Sequence, residues 1–169
     1  DGAYLAQLLL NLGYAVCGTS RDAQMSEFQN LVRLGIRDSV KLESVALTDF
    51  RSVLQVLTKI QPDEVYNLAG QSSVGLSFEQ PVETLESIAT GTLNLLEAIR
   101  FTGAKIKLYN AGSSECFGDT GEIAASETTP FRPRSPYAES PLRPERFVTQ
   151  KIVTTACRIA SGSQEHLYL

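Results

Sequence analysis

Apolar residues recur at helical spacing from the start of the chain. Within residues 3–12, Leu5, Leu8, Leu9 and Leu12 fall at i, i+3, i+4 and i+7, and Gly13 stands where such a helix stops. The pattern then shortens. Tyr14–Thr19 is a short apolar run that predicts a strand, followed by a polar stretch over Ser20–Glu27 and an amphipathic segment to about Leu34. Val40–Leu47 alternates as a strand does. Thr48 and Asp49 are suited to cap a helix over Phe50–Ile60. Pro62 and Asp63 turn the chain into a third strand-like run, the β-rich Glu64–Ala69. Pro81 is suited to open a long helix to about Thr102, and Ile106–Ala111 reads as another buried strand.

Strands alternating with helices at this spacing predict an α/β fold of the doubly wound class, a parallel sheet covered on both faces. The stretch from Thr120 to Glu145 differs. It holds Pro130, Pro133, Pro136, Pro141 and Pro144 with little apolar periodicity, and predicts a long loop of the kind that carries active sites in such folds. Beyond it, Glu145–Ala160 has a helix pattern and Glu165–Leu169 a strand pattern.

Composition narrows the chemistry. The chain has 169 residues, 43% of them apolar and 20% charged, enough to build a core. Fifteen Lys and Arg against nineteen Asp and Glu give a net charge of −4, with no basic patch, which argues against a nucleic-acid partner. No apolar run reaches the roughly 18 residues of a membrane span. The opening Asp-Gly-Ala has no leader character, and a cytoplasmic protein is expected. Cys17, Cys116 and Cys157 are widely spaced and read as reduced thiols; with His166 the only histidine, a histidine triad or a zinc site is not expected. No metal site is predicted.

Chemistry must then run on Tyr, Ser, Glu, Asp or a borrowed cofactor. Asp1 and Gly2 precede a helix, where the end of a glycine-rich phosphate loop lies in dinucleotide-binding proteins; Asp-Gly is equally an ordinary turn. Arg21 follows the first predicted strand, at the place where an arginine accommodates a ribose 2′-phosphate, or it is a solvated loop residue. Asp22 beside it weakens that preference. Asn67-Leu68-Ala69-Gly70-Gln71-Ser72 ends a strand with small residues that admit a flat cofactor, or simply a tight turn. Ser113, Ser114 and Glu115 follow the strand over Ile106–Ala111, and Tyr137 lies in Arg134-Ser135-Pro136-Tyr137 within the Pro-rich stretch. A tyrosine can take a hydroxyl proton, a serine can hydrogen-bond that oxygen, and a glutamate can remove a carbon-bound proton next to the new carbonyl. A phenol of pKa about 10 needs a nearby cation for this work. A structural tyrosine is the plain alternative.

These residues carry a resemblance. DGAYLAQLLLNLGY (1–14), EVYNLAGQSSV (64–74), the SSE of NAGSSECFG (110–118), ETTPFRPRSPYA (127–138) and ESPLRPERFVTQKI (139–152) resemble, in order, the extended short-chain dehydrogenase/reductase superfamily and, within it, the GDP-mannose 4,6-dehydratase family. The resemblance implies a Rossmann-type NADP-binding domain over 1–138 and the start of a sugar-nucleotide substrate region over 139–169. It implies a lyase that dehydrates GDP-mannose to GDP-4-keto-6-deoxymannose, a deoxysugar precursor, with hydride lent to NADP and returned. Matched to the family, Ser113, Glu115 and Tyr137 are catalytic positions. Asp1, Gly2, Arg21, Leu47, Leu68, Ala69, Gly70, Gln71, Ser72 and Arg143 are cofactor positions, and Ser114 and Lys151 face the substrate. A homo-oligomer is implied, a dimer rather than a tetramer, since Thr19–Glu27 carries only Arg21 as an arginine.

The chain departs from the family in four places. Only Asp1-Gly2 remains of the expected first strand and glycine loop. The lysine due four residues after Tyr137 is replaced by Pro141, and about thirty residues that relatives carry after Ala138 are missing, about the length of a helix–strand unit. Ala46 stands where relatives often have an aspartate. Leu169 ends the sequence where the substrate region is only beginning, so the resemblance covers about half of a family member. Taken literally, these 169 residues would be inactive; the expectation is a longer protein whose absent segments complete the site. Another nucleotide-sugar epimerase or reductase of the superfamily, or a cofactor-binding domain without catalysis, are the alternatives, and Glu115 speaks for elimination.

Overall fold

Helix α1 (Gly2–Asn11) forms one residue earlier at each end than the pattern predicts, and Ala3, Ala6 and Leu10 face the core while Leu8 and Leu12 of the leucine stripe are exposed. The computed structural model describes residues 1–121 and 123–139, without the side chain of Glu139. Strands β1 (Val16–Ser20) and β2 (Val40–Ser44) pair in parallel, Val16 opposite Val40 and Ser20 opposite Ser44. Between them lies the short helix α2 (Gln29–Arg33). β2 stops three residues before the predicted end at Leu47. Val45 N–H still reaches Ser20 O at 2.8 Å, but Asp49 N–H then closes on Ala46 O at 3.0 Å and turns the chain away. Asp49 is the N-cap of α3 (Phe50–Ile60), its carboxylate accepting from Arg51 N–H at 3.0 Å.

β3 (Glu64–Asn67) and β4 (Lys107–Asn110) form a second hydrogen-bonded pair, opened by Lys107 N–H donating to Asp63 O at 2.9 Å. Between them the chain forms α4 (Val74–Glu79), which the apolar pattern does not reveal, and then the helix expected from Pro81 to Thr102. That helix is not uniform: α5 (Pro81–Leu85) passes through a π-helical turn at Glu86–Thr90 into α6 (Gly91–Thr102). The predicted helix over 145–160 and strand over 165–169 lie outside the described residues.

The chain divides into two compact units, Asp1–Leu68 with Asn94–Leu108, and Ala69–Leu93 with Tyr109–Leu169. The first unit holds two cores. Val40 and Leu42, two apart on β2, pack with Ala6, Leu10 and Leu31 from α1 and α2. The alternate β2 position, Glu43, faces α3, where its carboxylate takes a hydrogen bond from Lys59 at 2.8 Å. α3 contributes Val53 and Leu57 to the second core with Val45, Leu95 and Ala98, against Val65 and Leu108. Helices therefore cover both faces of the first strand pair, the α/β arrangement that the alternation of elements predicts. Each fully buried valine or leucine among them is worth roughly 1.5–3 kcal/mol relative to exposure. One amide fixes the connection after β2: Asn94 Nδ2 donates to Leu47 O at 2.8 Å.

Lys59, with Lys41 at 3.5 Å, holds the Glu43 carboxyl below its ordinary value of 4.5. A depressed carboxyl contributes stability that is present above its unfolded value and is lost as the pH falls through the folded one. Lys59→Met is therefore expected to lower the urea midpoint at neutral pH and to leave it unchanged at about pH 2, where the carboxyl is protonated in both states. An equal drop at both pH values would show that the lysine stem, not the charge, matters.

Candidate active site

The second unit contains the residues with the most direct chemistry. After β4 the chain makes a 3₁₀ turn, Ser114–Phe117, capped by Ser113. Ser113 Oγ accepts from Glu115 N–H at 3.3 Å, and its carbonyl accepts from Cys116 N–H at 3.3 Å. A hydroxyl that accepts the capping bond keeps its own proton to donate. Cys116 is buried and anchors the turn, while Ser114 and Glu115 face outward and Ser113 is half-buried. Cys116 is thus a small buried hydrophobe, as expected of it, and Cys17 is a half-buried free thiol.

Tyr137 is not in a loop. The stretch expected to be irregular from Thr120 onward is interrupted by helix α7 (Pro136–Glu139). Its start follows from two residues. Ser135 is buried and its Oγ accepts from Ala138 N–H at 3.1 Å, and Pro136 occupies the first helical position, where a missing N–H costs nothing. Ala138 is almost fully buried, so the helix is seated by Ser135 and Ala138 while Tyr137 is half-buried between them. α7 packs on α4, on α5 and on the 3₁₀ turn that carries Ser113 and Glu115. The facing helices bury small polar residues, Ser77 and Thr84, whose hydroxyls are satisfied by Val74 O at 2.6 Å and Gln80 O at 2.8 Å.

The two halves of this site are tied at one backbone crossing. Arg132 N–H donates to Cys116 O at 3.0 Å, and the rings of Phe117 and Phe131 lie 5.2 Å apart. Gly118, at φ +65°, lies so close that a Cβ there would stand 2.1 Å from Arg132 O. Only glycine meets both conditions. Gly118 is not among the residues that the sequence singles out. Its signal, a glycine directly after an aromatic that has a second aromatic to meet, is too weak to read from one chain.

The remaining predicted positions fall as follows. In the first unit, Asp1 is the N-cap residue of α1 without a side-chain capping bond, and Gly2 is exposed, with Leu68 Cδ1 3.9 Å from where its Cβ would be. The start of α1 and the end of β3 thus meet. Arg21 is exposed directly after β1, and Leu47 is half-buried in the turn after β2. In the second unit, Gly70 has φ +134° and Ser72 is exposed. The Gln71 side chain folds back on its own loop, donating to Ser73 O at 2.8 Å and Thr84 Oγ1 at 3.5 Å and accepting from Ser73 N–H. Arg143 and Lys151 lie outside the described residues.

Known structures with this fold include the UDP-Glc/GlcNAc 4-epimerase of Campylobacter jejuni, with a TM-score of 0.78 and 21% identity, over 96% of this chain and 47% of that one. The UDP-glucose 4-epimerase of Thermus thermophilus, solved in complex with NAD, superposes with a TM-score of 0.73 at 28% identity, over 98% of this chain and 48% of that one. The fold is that of the extended short-chain dehydrogenase/reductases, the superfamily of nucleotide-sugar epimerases and dehydratases. Sequence goes further. The profile of the family described as GDP-mannose 4,6 dehydratase matches residues 1–140. The GDP-mannose 4,6-dehydratase of Vibrio cholerae serotype O1 is 40% identical over all of this chain and 55% of its own length, and GDP-mannose 4,6 dehydratase 1 of Arabidopsis thaliana is 41% identical over all of this chain and 57% of its own. The chain belongs to the GDP-mannose 4,6-dehydratase family. It spans about half the length of these relatives. The alignment to the Vibrio relative runs over 206 positions against 169 residues here, so relatives carry internal sequence that this chain lacks.

Gly118→Ala is expected to destabilise the protein by more than the about 1–3 kcal/mol that an unfavourable backbone conformation costs alone. Gly121→Ala, at φ +63° with nothing within 4 Å of its Cβ among the described residues, supplies that backbone cost as the control. Chemical denaturation of both variants gives the comparison; equal losses would mean that Arg132 yields and the crossing is soft.

Proposed function

We propose that the protein from which this chain derives dehydrates GDP-mannose to GDP-4-keto-6-deoxymannose. The observation that carries this reading is the packing of α7, with Tyr137, on the turn that holds Ser113 and Glu115. Family membership supports the same substrate and reaction class. Tyr137 accepts the proton of the sugar hydroxyl being oxidised, and the Ser113 hydroxyl donates to that oxygen. Glu115, exposed on the outer side of its turn, removes the proton next to the new carbonyl so that water leaves from the neighbouring carbon. Ser114 and Lys151 lie on the substrate side in this reading. Residues 1–138 form the dinucleotide-binding part and 139–169 open the sugar-nucleotide part.

A nicotinamide dinucleotide fits the residues present. The first-turn N–H groups of α1 have no side-chain cap, and Gly2 offers open backbone beside Leu68. When bound, the dinucleotide takes up and returns the hydride of the reaction. Asp1, Gly2, Leu47, Leu68, Ala69, Gly70, Gln71 and Ser72 are the positions that hold it, with Arg143 beyond the described residues. Arg21, exposed after β1, favours NADP over NAD by meeting a 2′-phosphate. The cation that Tyr137 needs is not supplied by Pro141. In this reading it belongs to the internal sequence that relatives carry and this chain lacks, and these 169 residues alone are inactive. The whole protein works as a cytoplasmic homo-oligomer, a dimer. Among the described residues no helix is long and apolar enough to cross a membrane.

The test uses the full-length protein and GDP-mannose, with product followed by mass spectrometry. Loss of one water is expected, and Glu115→Gln and Tyr137→Phe should each lower kcat by about 10²- to 10⁴-fold. A product of unchanged mass would point to epimerisation. Nucleotide binding without turnover would point to a domain that has lost catalysis.

A further inference from the structure

The loop after β3 is fastened to the π-helical turn. Gln71 N–H donates to Ser87 Oγ at 3.3 Å, and Ser87 Oγ donates to Thr84 O at 3.2 Å, so one hydroxyl joins the loop backbone to the helix backbone. Ser87 lies within Glu86–Thr90, where the i to i+5 pattern inserts an extra residue into the turn and changes which side chains face the loop. The next residue, Ile88, closes on Gly70: a Cβ there would stand 3.1 Å from Ile88 Cγ1. One turn further back, Thr84 receives the Gln71 side chain. Thr84, Ser87 and Ile88 therefore hold two consecutive loop residues, and the loop has no secondary structure of its own over 68–73.

We propose that Ser87 is a positioning residue for the dinucleotide: through the Gln71 amide it sets the backbone of Gly70 and Gln71 in the conformation that receives the cofactor. This rests on reading Leu68–Ser72 as cofactor-binding. Ser87 acts through the loop and touches no reacting atom. A serine inside a helix ordinarily spends its hydroxyl on a carbonyl three or four residues back. Ser87 does so on Thr84 O and, at the same time, accepts from a separate segment.

The experiment compares the full-length wild type with Ser87→Ala and Ser87→Thr. NADPH affinity is read by fluorescence titration, and thermal midpoint and hydrogen exchange of the Gln71 amide are read without cofactor. Ser87→Ala is expected to weaken NADPH binding about five- to tenfold, the scale of one net hydrogen bond, and to speed exchange at Gln71. Its thermal midpoint should fall only slightly, and Ser87→Thr, which keeps the hydroxyl, should restore affinity. Unchanged NADPH affinity in Ser87→Ala, or a lowered midpoint without a change in affinity, overturns the positioning role alone. Failure of the wild type to bind NADPH overturns the cofactor reading, and the proposal with it.

Discussion

A parallel strand pair cannot be joined by a hairpin, and most of this architecture follows from that constraint. β1 must be left by a crossover before β2 can run beside it, so the chain needs helices to make the return, and those helices need apolar faces to stay folded. The same geometry gathers the segments that follow β1 and β2 at one end, where Val45 N–H reaches Ser20 O. Irregular backbone is admitted there because the ladder has ended. Arg21 and Leu47 owe their shared end of the strand pair to this, whatever chemistry they take part in.

Among the described residues of the second unit, the most deeply buried side chains are small. Ser77, Thr84, Ser135 and Ala138 are buried, and all four are small. Small residues allow short helices such as α4, α5 and α7 to pack closely, with hydroxyls turned back on their own backbone. Such an arrangement seats the helices closely without leaving these hydroxyls unsatisfied. The π-turn belongs to the same logic: it spends helix regularity to bring Ser87 and Ile88 against Gly70 and Gln71.

How much of this is legible in the sequence depends on how local the cause is. The boundaries of α1 and α3 read true to a residue, from helical apolar spacing and one capping aspartate, although in α1 the packed face is Ala3, Ala6 and Leu10 rather than the leucine stripe. β2 reads too long because Val45-Ala46-Leu47 continues the alternation while the backbone has already turned into the cap of α3. α4 is too short to show a period, although Ser73 caps it locally by accepting from Leu76 N–H at 3.2 Å, and the π-turn leaves no pattern because the contacts it makes lie in the loop before it. The prolines between Thr120 and Glu145 make Tyr137 look irregular, although Ser135 and Pro136, taken as cap and first helical residue, mark the start of α7. Ser113, Glu115 and Tyr137 stand out as a set by resemblance. Their common support, Cys116 and Gly118 against Arg132, does not, because a contact between residues far apart in the chain leaves no periodicity.

The crossing of Gly118 and Arg132 has a consequence for what the protein can tolerate. It closes residues 119–131 into a loop whose ends are fixed independently of its contents. Closure entropy grows slowly with length, by only about 0.6 kcal/mol for each doubling of a flexible loop. A change of length between Asp119 and Ala125 therefore costs little closure entropy and leaves the crossing that fixes both ends of the loop in place.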